Sequence, residues 1–210
     1  MRERPILFNT EMVRAIFDGR KTCTRRVVKG YIPKDAEFGY TAFTPKGAIS
    51  CRGIFETSYP GYGEKFFEPP YCRGDILYVR ETWCSAYDGE KFFYLADKLT
   101  NREERLLLNY DDVKWHPSIH MPKGAARIWL KVIDVRIERL QDITETQAQA
   151  EGCNSGLLTG PCTARGQFEK LWNSTIKKSD IDRYGWLVNP WVWVIEFERC
   201  EKPRKENIND

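Results

Sequence analysis

The chain has 210 residues, of which 41% are hydrophobic and 30% are charged, an ordinary composition for a folded domain that argues against a disordered chain. The formal net charge of +3 is too small to attract nucleic acid over the whole surface, so a basic site must be local. The sequence shows no signal peptide and no apolar stretch of membrane-spanning length, and its seven cysteines are odd in number and irregular in spacing. We expect a cytoplasmic protein without a membrane partner.

The first predicted elements are a short strand and an amphipathic helix. Residues 6–8 have strand character, and Asn9 or Thr10 can cap the helix that follows. Apolar residues recur at helical spacing after this cap, and Gly19 is well placed to end the helix. Residues 30–72 are rich in Gly, Pro, Tyr and Ser without a clear period, which predicts either a long irregular insertion or a set of short hairpins.

Three strand-like segments occupy the middle of the chain. A turn signal at residues 73–75 leads into a strand at residues 76–80, which residues 81–83 are predicted to continue. Residues 92–95 are a candidate for one strand of a hairpin. Residues 126–137 give the longest strand-like run, and they alternate between polar and apolar as a half-buried strand does.

The C-terminal part of the sequence predicts two helices and a strand. Asp142 and Thr144 are candidate caps for a short helix, which Gly152 closes. A second helix begins at residue 162 or 163 and extends to about residue 176, and residues 191–198 form a final strand. No internal repeat or low-complexity linker separates these elements. The sequence therefore predicts one α+β domain built on a small β-barrel.

The most distinctive stretch lies between residues 18 and 26, directly after the first predicted helix. It combines one lysine, three arginines and two threonines around a single glycine, so we expect an anionic or polar group to bind there. Arg25 and Arg26 suit two interpretations equally, either solvated ion pairs or recognition of phosphate or carboxylate. Cys23 has no histidine near it in sequence, and we interpret it as a small apolar spacer, not a nucleophile.

An arginine and an aromatic residue mark the end of the predicted strand at residues 76–80. Arg80 and Glu81 are a candidate ion pair, and Trp83 follows them. One interpretation is a salt bridge at the barrel rim over a core tryptophan. The other is stacking of Trp83 on a nucleobase, an interaction worth about 1–3 kcal/mol. The sequence leaves both open.

The two histidines give little support for a metal site. His116 and His120 lie four residues apart with Pro117 between them, and proline disfavours a continuous helical turn. We interpret them as loop histidines, with a zinc site the less favoured alternative. The sequence predicts no metal ion and no cofactor.

Four blocks of sequence occur in a characteristic order. They are Gly-Arg-Lys-Thr-x-Thr-x-Arg at 19–26, Gly-Asp-Ile-Leu at 74–77, Leu-Gln-Asp-Ile-Thr-Glu at 140–145 continuing to Glu151, and Val-Ile-Glu-Phe at 194–197. In this order the blocks resemble the signature of the ASCH domain family, whose members have a PUA-like β-barrel. Two further segments, at residues 4–8 and 189–193, are similar to longer, prophage-type members of that family.

The resemblance implies an α+β fold that consists of a small PUA-like β-barrel with flanking helices. Small ASCH proteins are much shorter than this chain, which implies long insertions around the barrel at about 30–72, 85–120 and 153–185. Residues 1–200 then form a single domain, and residues 201–210 form a charged tail.

One bacterial branch of the family hydrolyses the amide of N4-acetylcytidine with a lysine, a threonine and a glutamate, which match Lys21, Thr24 and Glu151 in this sequence. The resemblance implies that Thr24 is the nucleophile and that Lys21 is the base that activates it. Glu151 would orient the lysine or protonate the leaving amine. Lys21 and Thr24 are three residues apart, which places them on one side if the backbone stays helical there.

The expected substrate-binding residues are Arg20, Arg25, Arg26, Arg80 and Trp83. A nucleoside, a nucleotide or RNA is the expected partner. The alternative to an amidohydrolase is a non-catalytic module that binds RNA or a modified nucleotide, and a nuclease is a third, less favoured hypothesis. Lysine, threonine and arginine in a pocket suit both binding and hydrolysis, so the sequence does not decide between them.

Overall fold

The computed structural model describes residues 2–30, 32, 37–43, 51–56, 65–86, 91–97, 114–154 and 163–203. Its strands are β1 (Glu3–Leu7), β2 (Cys23–Val27), β3 (Glu37–Phe43), β4 (Cys51–Glu56), β5 (Lys65–Phe67), β6 (Ile76–Arg80), β7 (Trp83–Ala86), β8 (Lys91–Tyr94), β9 (Trp129–Arg139) and β10 (Trp191–Cys200). Its α-helices are α1 (Thr10–Phe17), α2 (Glu145–Ala150), α3 (Ala164–Thr175) and α4 (Ile181–Tyr184). Among the described residues, no helix has the length and apolar character needed to cross a membrane.

The N-terminal strand and helix form where the sequence predicts them. Asn9 caps α1, because its side-chain oxygen accepts a hydrogen bond from the backbone N–H of Met12 at 2.9 Å. Val13 and Ile16 are buried and place the apolar face of α1 on the core. The chain leaves the helix at Gly19, whose φ of +72° is a left-handed conformation that favours glycine.

The main sheet has five strands in the order β1-β6-β9-β10-β2. Strand β1 is parallel to β6, and the other neighbouring strands are antiparallel. Strands β1 and β2 are its two edges, so over the described part of the chain the sheet is open and does not close into a barrel. The coarser prediction of a mixed α+β fold is confirmed.

Strand β10 separates two apolar cores. Trp193 and Ile195 belong to the core that α1 covers, whereas Val192 and Val194 belong to the core that α2 and α3 cover. This division follows from the strand itself, because successive side chains point to opposite faces. A strand that is buried on both faces has an uninterrupted apolar sequence, as this part of β10 does.

Strand β6 ends at Arg80, so the prediction that residues 81–83 continue it is wrong. The backbone N–H of Glu81 donates to the sulfur of Met121 at 3.2 Å instead of a strand partner. The Glu81 carboxylate accepts two hydrogen bonds from Arg127, at 2.9 and 3.0 Å. Glu81 is therefore paired with Arg127 and not with Arg80, and a separate two-stranded sheet of β7 and β8 follows.

The remaining predicted elements are present with small shifts at their ends. The hairpin strand is β8, the longest run is β9, and the final strand is β10. The two later helices are α2 and α3. Thr144 caps α2 in a capping box with Gln147, and Asp142 lies in the preceding 3₁₀ turn at Leu140–Asp142.

The predicted insertions contain regular structure. Within residues 30–72, strands β3, β4 and β5 form an antiparallel three-stranded sheet, so the hairpin alternative describes this segment. Strand β8 lies in the segment 85–120, and α3 lies in the segment 153–185. Parts of all three segments lie outside the described residues, namely 31, 33–36, 44–50, 57–64, 87–90, 98–113 and 155–162. The predicted tail beyond residue 203 also lies outside them.

Candidate functional site

The connection between α1 and β2 carries the cationic stretch. The backbone N–H groups of Arg20 and Lys21 both donate to Ala15 O, at 2.9 and 3.0 Å, which holds the chain against the end of α1. From there the chain is extended: Lys21 forms an isolated β-bridge with Glu151, and Thr24 lies in β2. The backbone between Lys21 and Thr24 is therefore not helical, so the condition under which the two side chains would lie on one side is not met.

Lys21 is buried, and its whole ammonium group is bound. Its Nζ donates to Glu151 Oε2 at 2.8 Å, to Glu151 O at 2.9 Å and to Cys23 O at 2.8 Å. An ammonium group has three N–H donors, and all three are used here. The side chains of Lys21 and Glu151 are 0% and 3% exposed. The structure thus brings together two of the three predicted catalytic residues.

Glu151 extends this pair into a buried network of alternating charges. Its second oxygen, Oε1, accepts a hydrogen bond from Arg25 Nη1 at 3.2 Å. Arg25 Nη2 in turn donates to Glu138 Oε2 at 3.1 Å. Lys21, Arg25 and the two carboxylates cancel in charge. Each buried charge therefore has the hydrogen-bonded counter-ion that burial requires.

Thr24 is 1% exposed and belongs to the face of β2 opposite to Arg25. Its Oγ1 accepts a hydrogen bond from Arg26 Nη1 at 2.8 Å. Within the described part of the chain, no hydrogen bond connects Thr24 to Lys21 or to Glu151. The structure does not join the third predicted catalytic residue to the other two.

A cleft of about 510 Å³ lies beside β2. Arg25 and Arg26 both line it, because β2 is an edge strand and side chains from both of its faces reach the space beyond the edge. Thr82 and Ser118 add hydroxyl groups to the lining. The apolar part of the lining includes Phe8, Met12, Trp172 and Ile176. One wall is therefore cationic, and the other walls are apolar or aromatic.

Arg26 has only neutral partners. Its guanidinium donates to Thr24 Oγ1 at 2.8 Å, to Arg25 O at 3.0 Å and to Leu7 O at 3.4 Å. The last of these bonds runs from β2 to β1 and spans the two edges of the sheet. Burial lowers the pKa of the Arg26 guanidinium below its ordinary value and outweighs the negative groups nearby.

Arg25 has a buried donor without a partner. Each of its two Nη atoms donates one hydrogen bond, to Glu151 and to Glu138, whereas its buried Nε has no hydrogen-bond partner among the described residues. A buried donor without a partner costs about 1–3 kcal/mol. The Arg25 side chain is 0% exposed, so this N–H lies beneath the surface of the cleft.

Cys23 is unsuited to act as a nucleophile. Its thiol lies 4.0 Å from Gln147 O, beneath α2. Burial raises the pKa of the Cys23 thiol to about 12, and the negative charge of Glu151 adds to this effect. Only the thiolate is nucleophilic, and almost none is present at neutral pH. These properties agree with a small apolar spacer.

Two of the predicted binding residues point their side chains to partners outside the cleft. Arg20 donates to Gly152 O at 2.9 Å and forms an ion pair with Asp18 at 2.8 Å. Arg80 donates to the backbone oxygen of Ile119. Neither side chain lines the cleft. Of the four predicted arginines, only Arg25 and Arg26 therefore meet there.

Trp83 lies in an aromatic cluster beside β8. Its ring is 5.7 Å from that of Phe92 and 5.1 Å from that of His116, measured between centroids. These contacts favour the packing interpretation of Trp83 over stacking on a nucleobase. His120 lies in a 3₁₀ turn at Ser118–His120. Among the described residues, no group of three or more His, Cys, Asp or Glu side chains is placed to hold a metal ion.

Sequence reasoning missed the residues that reach the site from distant elements. Glu138 lies in β9, where Asp134, Arg136 and Glu138 put charges at every second position and so on one face of the strand. This spacing was the available sequence signal that the three charged side chains lie near one another. In the structure Arg136 Nε donates to Glu138 Oε1 at 2.6 Å. Trp172 lies on the buried face of α3, and the sequence held no signal that this face also borders a cleft.

Comparisons of the chain with protein families, with curated proteins and with solved structures found no match. The likeness to ASCH domains therefore depends on the four sequence blocks alone. The groups on which a function of this site can be built are the buried ion-pair network and the Arg26 guanidinium at the cleft, which has no carboxylate partner among the described residues.

Proposed function

We propose that this chain is an ASCH-type protein with a PUA-like fold, and that its cleft binds a nucleotide or modified nucleobase without converting it. Three of the four sequence blocks support the assignment, since they fall on β2, on the turn before α2 and on β10, which surround the site. The bond from Arg26 to Leu7 O supports a barrel-like curvature, because it brings the two edges of the open sheet together.

The size and lining of the cleft support a single small ligand. Ligand pockets commonly enclose roughly 300–1,000 Å³, and a cleft of about 510 Å³ falls within that range. Phe8 and Trp172, which are 2% and 5% exposed, form a packed aromatic wall against which the apolar body of a base can lie.

The observation that favours binding over catalysis is the complete occupation of the Lys21 ammonium group. A general base needs a lone pair that faces the proton it removes. All three N–H donors of Lys21 instead point to Glu151 and Cys23. The hydroxyl oxygen of Thr24 accepts its hydrogen bond from Arg26, not from Lys21. Lys21 and Glu151 therefore support the wall of the cleft.

A titration of the purified protein with cytidine, N4-acetylcytidine and their 5′-monophosphates tests this function. We expect saturable heat of binding, with every ligand recovered unchanged by chromatography. Ser118→Trp puts a large side chain into the cleft and should weaken binding at least about tenfold. Ser179→Trp, in an exposed 3₁₀ turn outside the cleft, is the matched control and should bind like the wild type. Absence of binding at low salt, or unchanged binding by Ser118→Trp, contradicts the proposal.

An amidohydrolase is the second candidate, and the approach of Lys21 to Glu151 at 2.8 Å favours it. In that reaction Lys21, as a neutral amine, takes the hydroxyl proton of Thr24 while the oxygen attacks the acyl carbon. Lys21 then passes this proton to the nitrogen that leaves as the amine, and water releases the acid and restores the Thr24 hydroxyl. This candidate gains support if N4-acetylcytidine yields acetate and Lys21→Ala, shown to be folded by circular dichroism, does not. We expect no acetate from the wild-type protein.

A further inference from the structure

We propose that Arg26 is the anion-binding residue of the cleft and that the ligand is a free nucleoside monophosphate, its phosphate held by Arg26 and its base by the apolar walls. This inference rests on the proposed function and specifies the ligand class. It follows from a difference between two adjacent arginines that both line the cleft.

Arg25 cannot serve as the phosphate site. A guanidinium binds phosphate best through two parallel N–H donors. Both Nη atoms of Arg25 already donate to the carboxylates of Glu151 and Glu138, at 3.2 and 3.1 Å. Each Nη uses one of its two N–H donors in these bonds, the positive charge is already compensated, and the side chain is 0% exposed. Arg25 is therefore committed to the two carboxylates and presents no free charge to the cleft.

Arg26 differs from Arg25 because its hydrogen-bond acceptors are all uncharged. Its acceptors are one hydroxyl and two backbone oxygens, and none of them carries a full charge. No carboxylate lies within ion-pair distance of Arg26 in the described part of the chain. Burial without a counter-ion is unfavourable for a cation, and accordingly it lowers the pKa of Arg26. An anion bound in the cleft removes this penalty.

The surroundings of Arg26 suit a phosphate. Thr82 and Ser118 contribute hydroxyl groups to the same cleft, and a phosphate accepts hydrogen bonds from such donors. The first turn of α1 also borders the cleft through Asn9 and Met12, and the N-terminal end of a helix favours negative charge. One guanidinium that has no carboxylate partner among the described residues, in a cleft of about 510 Å³, matches a ligand with one phosphate, not a strand with many.

The test compares cytidine with cytidine 5′-monophosphate by calorimetry in low salt. We expect the monophosphate to bind about 10- to 100-fold more tightly, as a charge-assisted hydrogen bond provides. Arg26→Gln should remove this difference. Arg26→Lys should restore most of it. Arg2→Gln removes the same charge at an exposed position outside the cleft and should have no effect.

The outcomes separate this inference from the proposed function. Equal affinities for nucleoside and monophosphate, or a difference that persists in Arg26→Gln, overturn the inference while leaving binding itself established. Tighter binding of a short RNA than of the monophosphate overturns the choice of a free nucleotide. If neither cytidine nor its monophosphate binds, the proposed function fails. The effect of inorganic phosphate on the Tm then tests the role of Arg26. If phosphate raises the Tm of the wild type but not that of Arg26→Gln, the anion site is supported. If phosphate does not raise the Tm of the wild type, the anion site is overturned.

Discussion

At the residue scale, the site depends on how buried charges are shared. Lys21, Glu151 and Arg25 are each almost completely shielded from solvent, yet every charge among them has a partner of opposite sign. Such a network adds little to stability compared with apolar packing, but it is sensitive to the loss of one member. Its evident role is to fix the position of Arg25, whose guanidinium is held by Glu151 on one side and by Glu138 on the other.

Replacing Glu151 by glutamine is expected to destabilise the fold by about 3–5 kcal/mol, the range for removing one partner of a buried ion pair. The amide preserves the volume but leaves Lys21 and Arg25 without their shared negative charge. Urea denaturation followed by tryptophan fluorescence measures the free energy of unfolding. Glu198→Gln, at an exposed position of β10, should change it by less than about 0.5 kcal/mol. A loss below about 1 kcal/mol for Glu151→Gln would contradict the arrangement.

Alkylation should distinguish buried thiols from reactive ones. Burial raises the pKa of the Cys23 thiol to about 12 and that of Cys153 to about 11. At about pH 8, far below both values, very little thiolate is present to react. We expect brief treatment of the native protein with iodoacetamide to leave both residues unmodified, as mass spectrometry of peptides reports. The same treatment in urea should modify both, and rapid labelling of native Cys23 would contradict its burial.

At the scale of elements, local signals predicted the regular structure and long-range contacts determined the rest. The cap at Asn9 and the apolar run of β10 are encoded by neighbouring residues, and both were predicted. Residues 20–24 are extended because Ala15 O and Glu151 hold the chain there, and Glu151 lies more than a hundred positions away. No local pattern contains that information. The same reason explains why the pairing of Lys21 with Glu151 could be expected only from a family resemblance, not from spacing.

Substitution of two glycines by alanine tests how closely the end of α2 packs against α1. Both have left-handed backbones, with φ of +72° at Gly19 and +96° at Gly152. A Cβ at Gly19 would meet open space, whereas one at Gly152 would lie 2.9 Å from the Cβ of Ala15. Gly19→Ala should therefore cost about 1–2 kcal/mol from backbone strain alone. Gly152→Ala should cost about 1–3 kcal/mol more, because overlap is added. Equal losses in urea denaturation would show that the two helices separate easily.

At the scale of the whole molecule, the main sheet lies between two cores, and β2 is one of its edges. One core is covered by α1 and the other by α2 and α3, and β10 contributes side chains to both. The cleft lies where these layers meet at the edge strand β2, so each layer supplies part of its lining. Periodicity predicted the helices and strands that form the layers. It could not predict their meeting point, because Ser118 and Trp172 carry no motif and come together with Phe8 only in the fold.

The pH dependence of global stability should show the contribution of one buried carboxylate, that of Glu81. Burial raises the pKa of Glu81 above its ordinary value and outweighs its hydrogen bonds from Arg127. The folded state therefore keeps this proton at pH values where the unfolded chain has released it. As the pH rises from about 4.3, the ordinary pKa of a glutamate, through the raised pKa of Glu81 in the folded protein, the contribution of Glu81 to the free energy of unfolding falls.

Glu81→Gln cannot titrate, so it should remove this part of the pH dependence. The variant also loses one of the two carboxylate partners of Arg127, the other being Asp97, which lowers its stability at every pH, and the informative quantity is therefore the slope. Urea denaturation between about pH 4 and pH 7 gives the free energy of unfolding for both proteins. The deficit of Glu81→Gln relative to the wild type should shrink as the pH rises, because only the wild type loses stability by releasing the Glu81 proton. A constant deficit would mean that Glu81 has the same pKa in the folded and the unfolded protein, and a deficit that grows as the pH rises would mean that Arg127 outweighs burial.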